Sequence, residues 1–209
     1  MQSWLGVDVG GERKGFDAAL IDDHELVLLR SRLTSQDVVD LVRSARPAVV
    51  GVDSPRSCAS AGESTRPGER QLARTICRIR WTPDETRVRA SPYYGWIVEG
   101  LALYDALAAC DVEVIEVFPT ASWTRWHGKR SGRRRPAWTT AALAALDLDG
   151  HPARINQDQR DAIAAAVTAR EYSYGLTETI GEIVVPQSGG HRHQSPVARS
   201  SESRELRGR

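Results

Sequence analysis

Apolar positions along the chain change their period in a way that separates strands from helices. Trp4-Leu5-Gly6-Val7-Asp8-Val9 is a short, almost wholly apolar run closed by Gly10-Gly11, which predicts a buried strand. Stretches 15–21 and 25–32 predict two more strands, separated by the turn sequence Asp22-Asp23-His24. Val38, Val39, Leu41 and Val42 then recur at helical spacing. They predict a helix from an N-cap at Ser35 to Ala45, stopped by Pro47. Ala48–Val52 is a further apolar strand, closing on Asp53-Ser54-Pro55.

From about 56 to 110 the pattern is that of a helical insertion, rich in arginine and interrupted by Pro67, Pro83 and Pro92. Helices are expected at about 67–78 and from Tyr94 to Ala109. Val112–Phe118 is another buried strand, 121–150 a loop-and-helix segment, and 157–171 a strong last helix. This order predicts one α/β domain over residues 1–185. Its sheet is mixed and five-stranded, flanked by helices, with the helical insertion following the fourth strand. From Pro186 the chain holds almost no large apolar residue, so 186–209 is expected to be a disordered basic tail.

Composition adds exclusions. The 209 residues suit a single domain, and 41% hydrophobic with 26% charged residues is ordinary for a globular protein. No apolar run nears the roughly 20 residues of a membrane helix, and the N-terminus has no signal-peptide pattern. Cys58, Cys77 and Cys110 are widely spaced and form no CxxC pair. That speaks for a reducing cytoplasm and against a zinc site or a disulfide framework. A net charge of +1 gives no global pull toward nucleic acid. Of 28 basic residues only Lys14 and Lys129 are lysines, which reflects either GC-rich coding or a use for phosphate-gripping guanidinium groups.

Carboxylates interrupt the apolar pattern at telling places. Asp8 lies mid-strand between Val7 and Val9, where an ionised group costs several kcal/mol unless it is paired. Asp53 ends a second apolar strand, expected to lie beside the first and parallel to it; alone, it is equally a turn residue. Asn156 and Gln159 form a capping pair for the last helix, with Asp158 and Asp161 on one face. Alone, Asp158 suits a surface position favoured by the helix dipole. Glu116 sits near the end of Val114-Ile115-Glu116-Val117-Phe118 as a ligand, a base or a residue on the solvated side. Gathered at one end of the sheet, these acids repel one another, and a divalent cation resolves the repulsion. Oxygen ligands without His or Cys suit Mg²⁺ or Mn²⁺. Two such ions about 4 Å apart support phosphodiester hydrolysis. The candidate catalytic residues are Asp8, Asp53, Glu116 and Asp161, and the candidate metal ligands Asp8, Asp53, Asp158 and Asp161.

These residues carry a resemblance. Gly6-Val7-Asp8-Val9-Gly10-Gly11 with Lys14-Gly15-Phe16, the Gly51-Val52-Asp53-Ser54-Pro55 strand end, Val114–Pro119 and Asp158-Gln159-Arg160-Asp161-Ala162 look like one family. It is the predicted-nuclease family catalogued as domain of unknown function 429, placed in the ribonuclease H-like superfamily. The order of elements read above is that superfamily's plan. Asp-x-x-Asp-Ala also resembles the closing motif of bacterial Holliday-junction resolvases, where both aspartates serve the metals. The resemblance spans about residues 4–172 and implies a fold and an acidic site without naming a substrate.

Lys14, Arg70, Arg74, Arg133, Arg134 and Arg135 are the candidate substrate contacts, with nucleic acid, DNA or RNA, as the expected partner. Arg70 and Arg74 are one helical turn apart. The loop 129–135, flanked by Trp126 and Trp138, is either a backbone or base contact or a solvated basic loop. Trp81, Tyr93, Tyr94 and Trp96 are expected as packing residues rather than stacking platforms. Two other functions stay open. An ATP-binding or phosphotransfer domain of the actin and sugar-kinase type shares Asp-x-Gly on its first strand but lacks a partner domain here. A non-catalytic nucleic-acid-binding regulator is the other. No feature fixes the oligomeric state, and a homodimer stays open.

Overall fold

Strand β1 (Trp4–Val9) runs through the middle of the sheet, and its alternation sorts the molecule into two layers. The computed structural model describes residues 2–11 and 13–188; positions 189–209 of the expected tail lie outside the described residues. Strands β2 (Phe16–Ile21) and β3 (Leu26–Leu33) continue antiparallel on one side of β1. Strands β4 (Val49–Asp53) and β5 (Glu113–Val117) continue parallel on the other. Beyond β5 the sheet carries a hairpin, β6 (Thr177–Ile180) and β7 (Ile183–Pro186), with β7 parallel to β5.

The strand order is β3-β2-β1-β4-β5-β7-β6 among the described residues, so the expected five strands are joined by two more. Each added strand has only four residues, too few to display a period. The signal lay in the Gly181-Glu182 turn between Ile180 and Ile183, with Gly181 at φ 65°.

Helix α1 (Ser35–Ala45) is capped one residue earlier than expected, by Thr34, whose hydroxyl accepts from the Asp37 amide. The insertion contains α2 (Pro67–Thr75), the short α3 (Glu85–Ala90) and α4 (Gly95–Leu107). After β5 come α5 (Pro119–His127) and α6 (Arg135–Leu143), then the long α7 (Gln157–Ser173). No helix among the described residues is long and apolar enough to cross a membrane.

Leu5, Val7 and Val9 pack with Val38, Val39 and Val42 of α1 and Leu103 and Leu107 of α4. Trp4, on the opposite face, packs with Trp123 of α5, Trp138 of α6 and Ala162–Val167 of α7. On that face Gly6 and Gly51 are register partners on β1 and β4. A Cβ on Gly6 would lie 2.0 Å from the Ala162 carbonyl oxygen, and one on Gly51 2.5 Å from that of Ala165. Only glycine lets α7 lie this close, and the small residues of α7 complete the fit. A third, smaller core joins Leu72 and Ile76 of the insertion to Ala121, Ile180, Ile183 and Val185. The hairpin is therefore the base on which the insertion rests.

Candidate metal centre

The glycine pair fixes where the aspartates fall. Asp8 and Asp53 lie two residues beyond Gly6 and Gly51, on the same face, and are themselves register partners. Helix α7 starts above them. Its capping box is complete: Asn156 Oδ1 accepts from the Gln159 amide at 2.8 Å, and the Asn156 amide donates to Gln159 Oε1 at 2.9 Å. Asp158 and Asp161 follow in the first turns.

Asp161 is only 2% exposed and well satisfied. It accepts from Trp123 Nε1 at 3.0 Å, from Gln157 Nε2 at 3.1 Å and from Arg135 at 2.7 Å. Asp158 meets the Lys14 ammonium at 2.5 Å. Asp17 stands opposite Asp8 on β2 and accepts from the Ser31 hydroxyl. One carboxylate oxygen from each of Asp8, Asp17 and Asp158 can be chosen so that all three lie within 4.8 Å of one another. Sequence reasoning missed Asp17, although the signal was that of Asp8: an aspartate inside an apolar strand, Phe16–Ile21.

Burial and crowding set the electrostatics. Burial first, then the charges of Asp53, Asp161 and Asp158, hold the Asp8 carboxyl well above its ordinary value. Burial, then Asp161, push Asp53 up to about 8, against the nearby Arg135 and a hydrogen bond with Asp8. Burial also raises Asp161 and Asp17. Like charges that cannot all ionise share protons, so Asp8 and Asp53 titrate as a pair.

Glu116 is on the other side of the sheet. Its neighbours Ile115 and Val117 belong to the α7 core, so Glu116 faces the insertion instead. It is 3% exposed and held by the Arg66 guanidinium at 2.5 and 2.8 Å and by the Arg56 amide at 2.9 Å. Arg66 also binds the fully buried Glu69 at 3.1 Å and Glu182, in the hairpin turn, at 2.9 Å. Glu116 thus sits in an ion-pair network beside the aspartates rather than among them.

A cavity of about 780 Å³ at the strand ends is lined by Asp8, Asp53, Asp158 and Asp161, and also by Glu116 from the insertion side. Lys14, Arg74 and Arg135 also line it. Arg70 is turned elsewhere, donating to the Thr65 carbonyl at 3.0 Å and lying 3.7 Å from Glu63. Arg133 folds onto its own loop, donating to the carbonyls of Arg130 and Lys129, and Arg134 is exposed outside the cavity lining. Trp126 donates to Glu171 and Trp138 to the Gly128 carbonyl, so the indole N–H of neither flanking tryptophan is free for a base. Trp81 and Tyr93, expected as packing residues, are exposed.

Two solved structures are similar to the chain. The Thermus thermophilus RuvC structure in complex with a Holliday junction substrate matches with a TM-score of 0.51 at 15% identity, covering 83% of this chain and 95% of that one. A second Thermus thermophilus RuvC structure has a TM-score of 0.49 at 15% identity, covering 83% and 96%. The fold is therefore of the ribonuclease H-like class, as the order of elements implied. No curated protein matches the sequence. The family model described as Protein of unknown function (DUF429) matches residues 6–184, and the chain belongs to that family.

Proposed function

We propose that the protein is a divalent-metal-dependent nuclease that hydrolyses phosphodiester bonds, with Mg²⁺ or Mn²⁺ held by Asp8, Asp53, Asp158 and Asp161 and with Asp17 as an added donor. The observation that carries this reading is the crowding of carboxylates that the fold leaves short of positive charge. Asp8 and Asp53 are register partners, and Asp53 rises to about 8 in their company. Among the described residues, Asp8, Asp17 and Asp158 can bring one oxygen each within 4.8 Å of one another, with Asp53 beside Asp8 in register, and oxygen donors without imidazole or thiolate suit Mg²⁺ or Mn²⁺. When bound, a divalent cation supplies charge for the phosphoryl oxygens and for the attacking water.

The chain's own residues do the rest. Trp123, Gln157 and Arg135 fix the Asp161 carboxylate in one orientation. Lys14 and Arg135 partly offset the negative charge at Asp158 and Asp161. Arg66 holds Glu116 beside the cleft, and the charge of Glu116 adds to the repulsion that raises Asp53. The likeness to RuvC bound to a Holliday junction supports nucleic acid as the substrate class.

The test is purified protein with Mg²⁺ or Mn²⁺ against labelled single-stranded, duplex and junction substrates. Phosphodiester cleavage that chelator abolishes and that Asp53→Asn lacks is the expected result. A protein that binds Mn²⁺ yet leaves every substrate intact contradicts the reading.

A further inference from the structure

The cations bordering the cavity fall into two sets. Lys14, Arg66 and Arg135 are each held by a carboxylate. Arg74, Arg78, Arg80, Lys129 and Arg130 are exposed, line the same cavity, and make no salt bridge among the described residues. They come from two segments: the end of α2 with the chain after it, and the loop before α6. In the first segment the Cys77 thiol meets the Thr124 hydroxyl on α5, the helix that leads into the second. An acidic floor under unpaired cationic walls suits a ligand whose reacting phosphodiester lies at the floor and whose other phosphates lie along the rim.

Shape narrows the ligand further. At about 780 Å³ the cavity has the size of pockets that enclose a small ligand, about 300–1,000 Å³, and the insertion walls it on one side. A duplex is a stiff rod with two backbones and stacked bases. A single strand needs one cationic track and flat apolar faces for its unpaired bases. The insertion supplies such faces. Outside the cavity lining, Trp81, directly after the lining Arg80, is 45% exposed, and Tyr93 is 62% exposed with its ring edge-on to Tyr94 at 4.9 Å. Trp96 borders the cavity, and its indole N–H has no hydrogen-bond partner among the described residues.

Resting on the nuclease reading above, we propose that the cleft takes single-stranded nucleic acid in preference to a duplex or a four-way junction. Arg74, Arg78 and Arg80 track the backbone, and Trp81 and Tyr93 stack on unpaired bases. The assignment follows from the coincidence, on one insertion, of unpaired cations, exposed rings and a walled cavity.

Fluorescence anisotropy on the full chain in Ca²⁺ tests it, with a labelled DNA strand of about 20 nucleotides, the same strand as RNA, its duplex, and a four-way junction. One or both single strands are expected to bind at least about tenfold more tightly than duplex or junction, and the DNA and RNA arms separate the two sources. Trp81→Ala and Tyr93→Ala should each weaken the strand about fivefold or more, with Trp81→Phe close to the native protein. Arg78→Ala should reduce the log-log salt slope by about 0.7, the single-strand value per phosphate contact. Both rings are exposed, so melting curves of these variants should match the native protein. Tighter binding of duplex or junction overturns the single-strand assignment and leaves the nuclease reading standing. Binding to none of the four probes overturns both. Unchanged binding by Trp81→Ala and Tyr93→Ala, with unchanged melting, overturns the stacking platform.

Discussion

Asp53 and Glu116 close adjacent parallel strands, yet they face opposite sides of the sheet and meet different company. Glu116 is met by two nitrogens of one guanidinium, which offset much of what burial does to it. Asp53 is met by Asp8 and Asp161, and the guanidinium that lowers it, that of Arg135, is hydrogen-bonded to Asp161. Burial raises both carboxyls, and the neighbouring Asp161 adds to it at Asp53, which is carried up to about 8. The difference teaches that a carboxylate buried at a strand end marks a site when the fold withholds its counter-charge. Where the fold supplies the counter-charge, the same residue type is held in an ion-pair network.

The largest effect expected from this contrast is on the balanced side. Arg66→Ala leaves Glu69 and Glu116 buried without their cation, which should cost about 3–5 kcal/mol in urea denaturation. A loss below about 1 kcal/mol would show that the network does not hold the insertion to the sheet. On the unbalanced side the sign reverses. Asp53→Asn removes a carboxyl that is ionised when unfolded but must take up a proton to fold, so near pH 7 the metal-free protein should gain about 1 kcal/mol or more, roughly 2–4 °C in a thermal melt. The same variant should lose stabilisation by Mn²⁺; a variant less stable than the native protein in chelator breaks the contrast. The smallest effect belongs to Arg70, whose partner Glu63 is itself exposed. Arg70→Ala should change stability by about 0–1 kcal/mol and leave the salt slope of strand binding alone. Arg74→Ala, on the cavity side of the same helix, should lower that slope by about 0.7.

Much of this was legible before any coordinates, for physical reasons. A charged residue inside an apolar strand is costly enough to be noticed, so Asp8 and Asp53 stood out, and the capping pair Asn156/Gln159 located the start of α7. Asp17 carries the same signature and went unnoticed because its strand was read only for its apolar period. The face on which Glu116 lies was open because register with neighbouring strands, which settles it, is a tertiary property. Arg70 and Arg74 looked equivalent because helical spacing places them near each other without saying which one meets the cavity and which one Glu63. The β6–β7 hairpin was too short for periodicity, and only its Gly181-Glu182 turn announced it.

The central claim is that the aspartate cluster is short of counter-charge from the fold, and a thermal melt across pH 5 to 8 with and without Mn²⁺ tests it most directly. Asp53, at about 8, and Asp8, also raised, bind protons more tightly folded than unfolded. Their contribution is therefore full below the ordinary carboxylate value and is lost as pH rises toward 8. Asp22 and Asp37, held below that value by hydrogen bonds, act in the opposite sense but only at lower pH. The metal-free melting temperature should fall steadily from pH 5 to 8, and saturating Mn²⁺ should both raise it and flatten the fall. A metal-free curve that is level over that range, or one that Mn²⁺ leaves unmoved, would contradict the account.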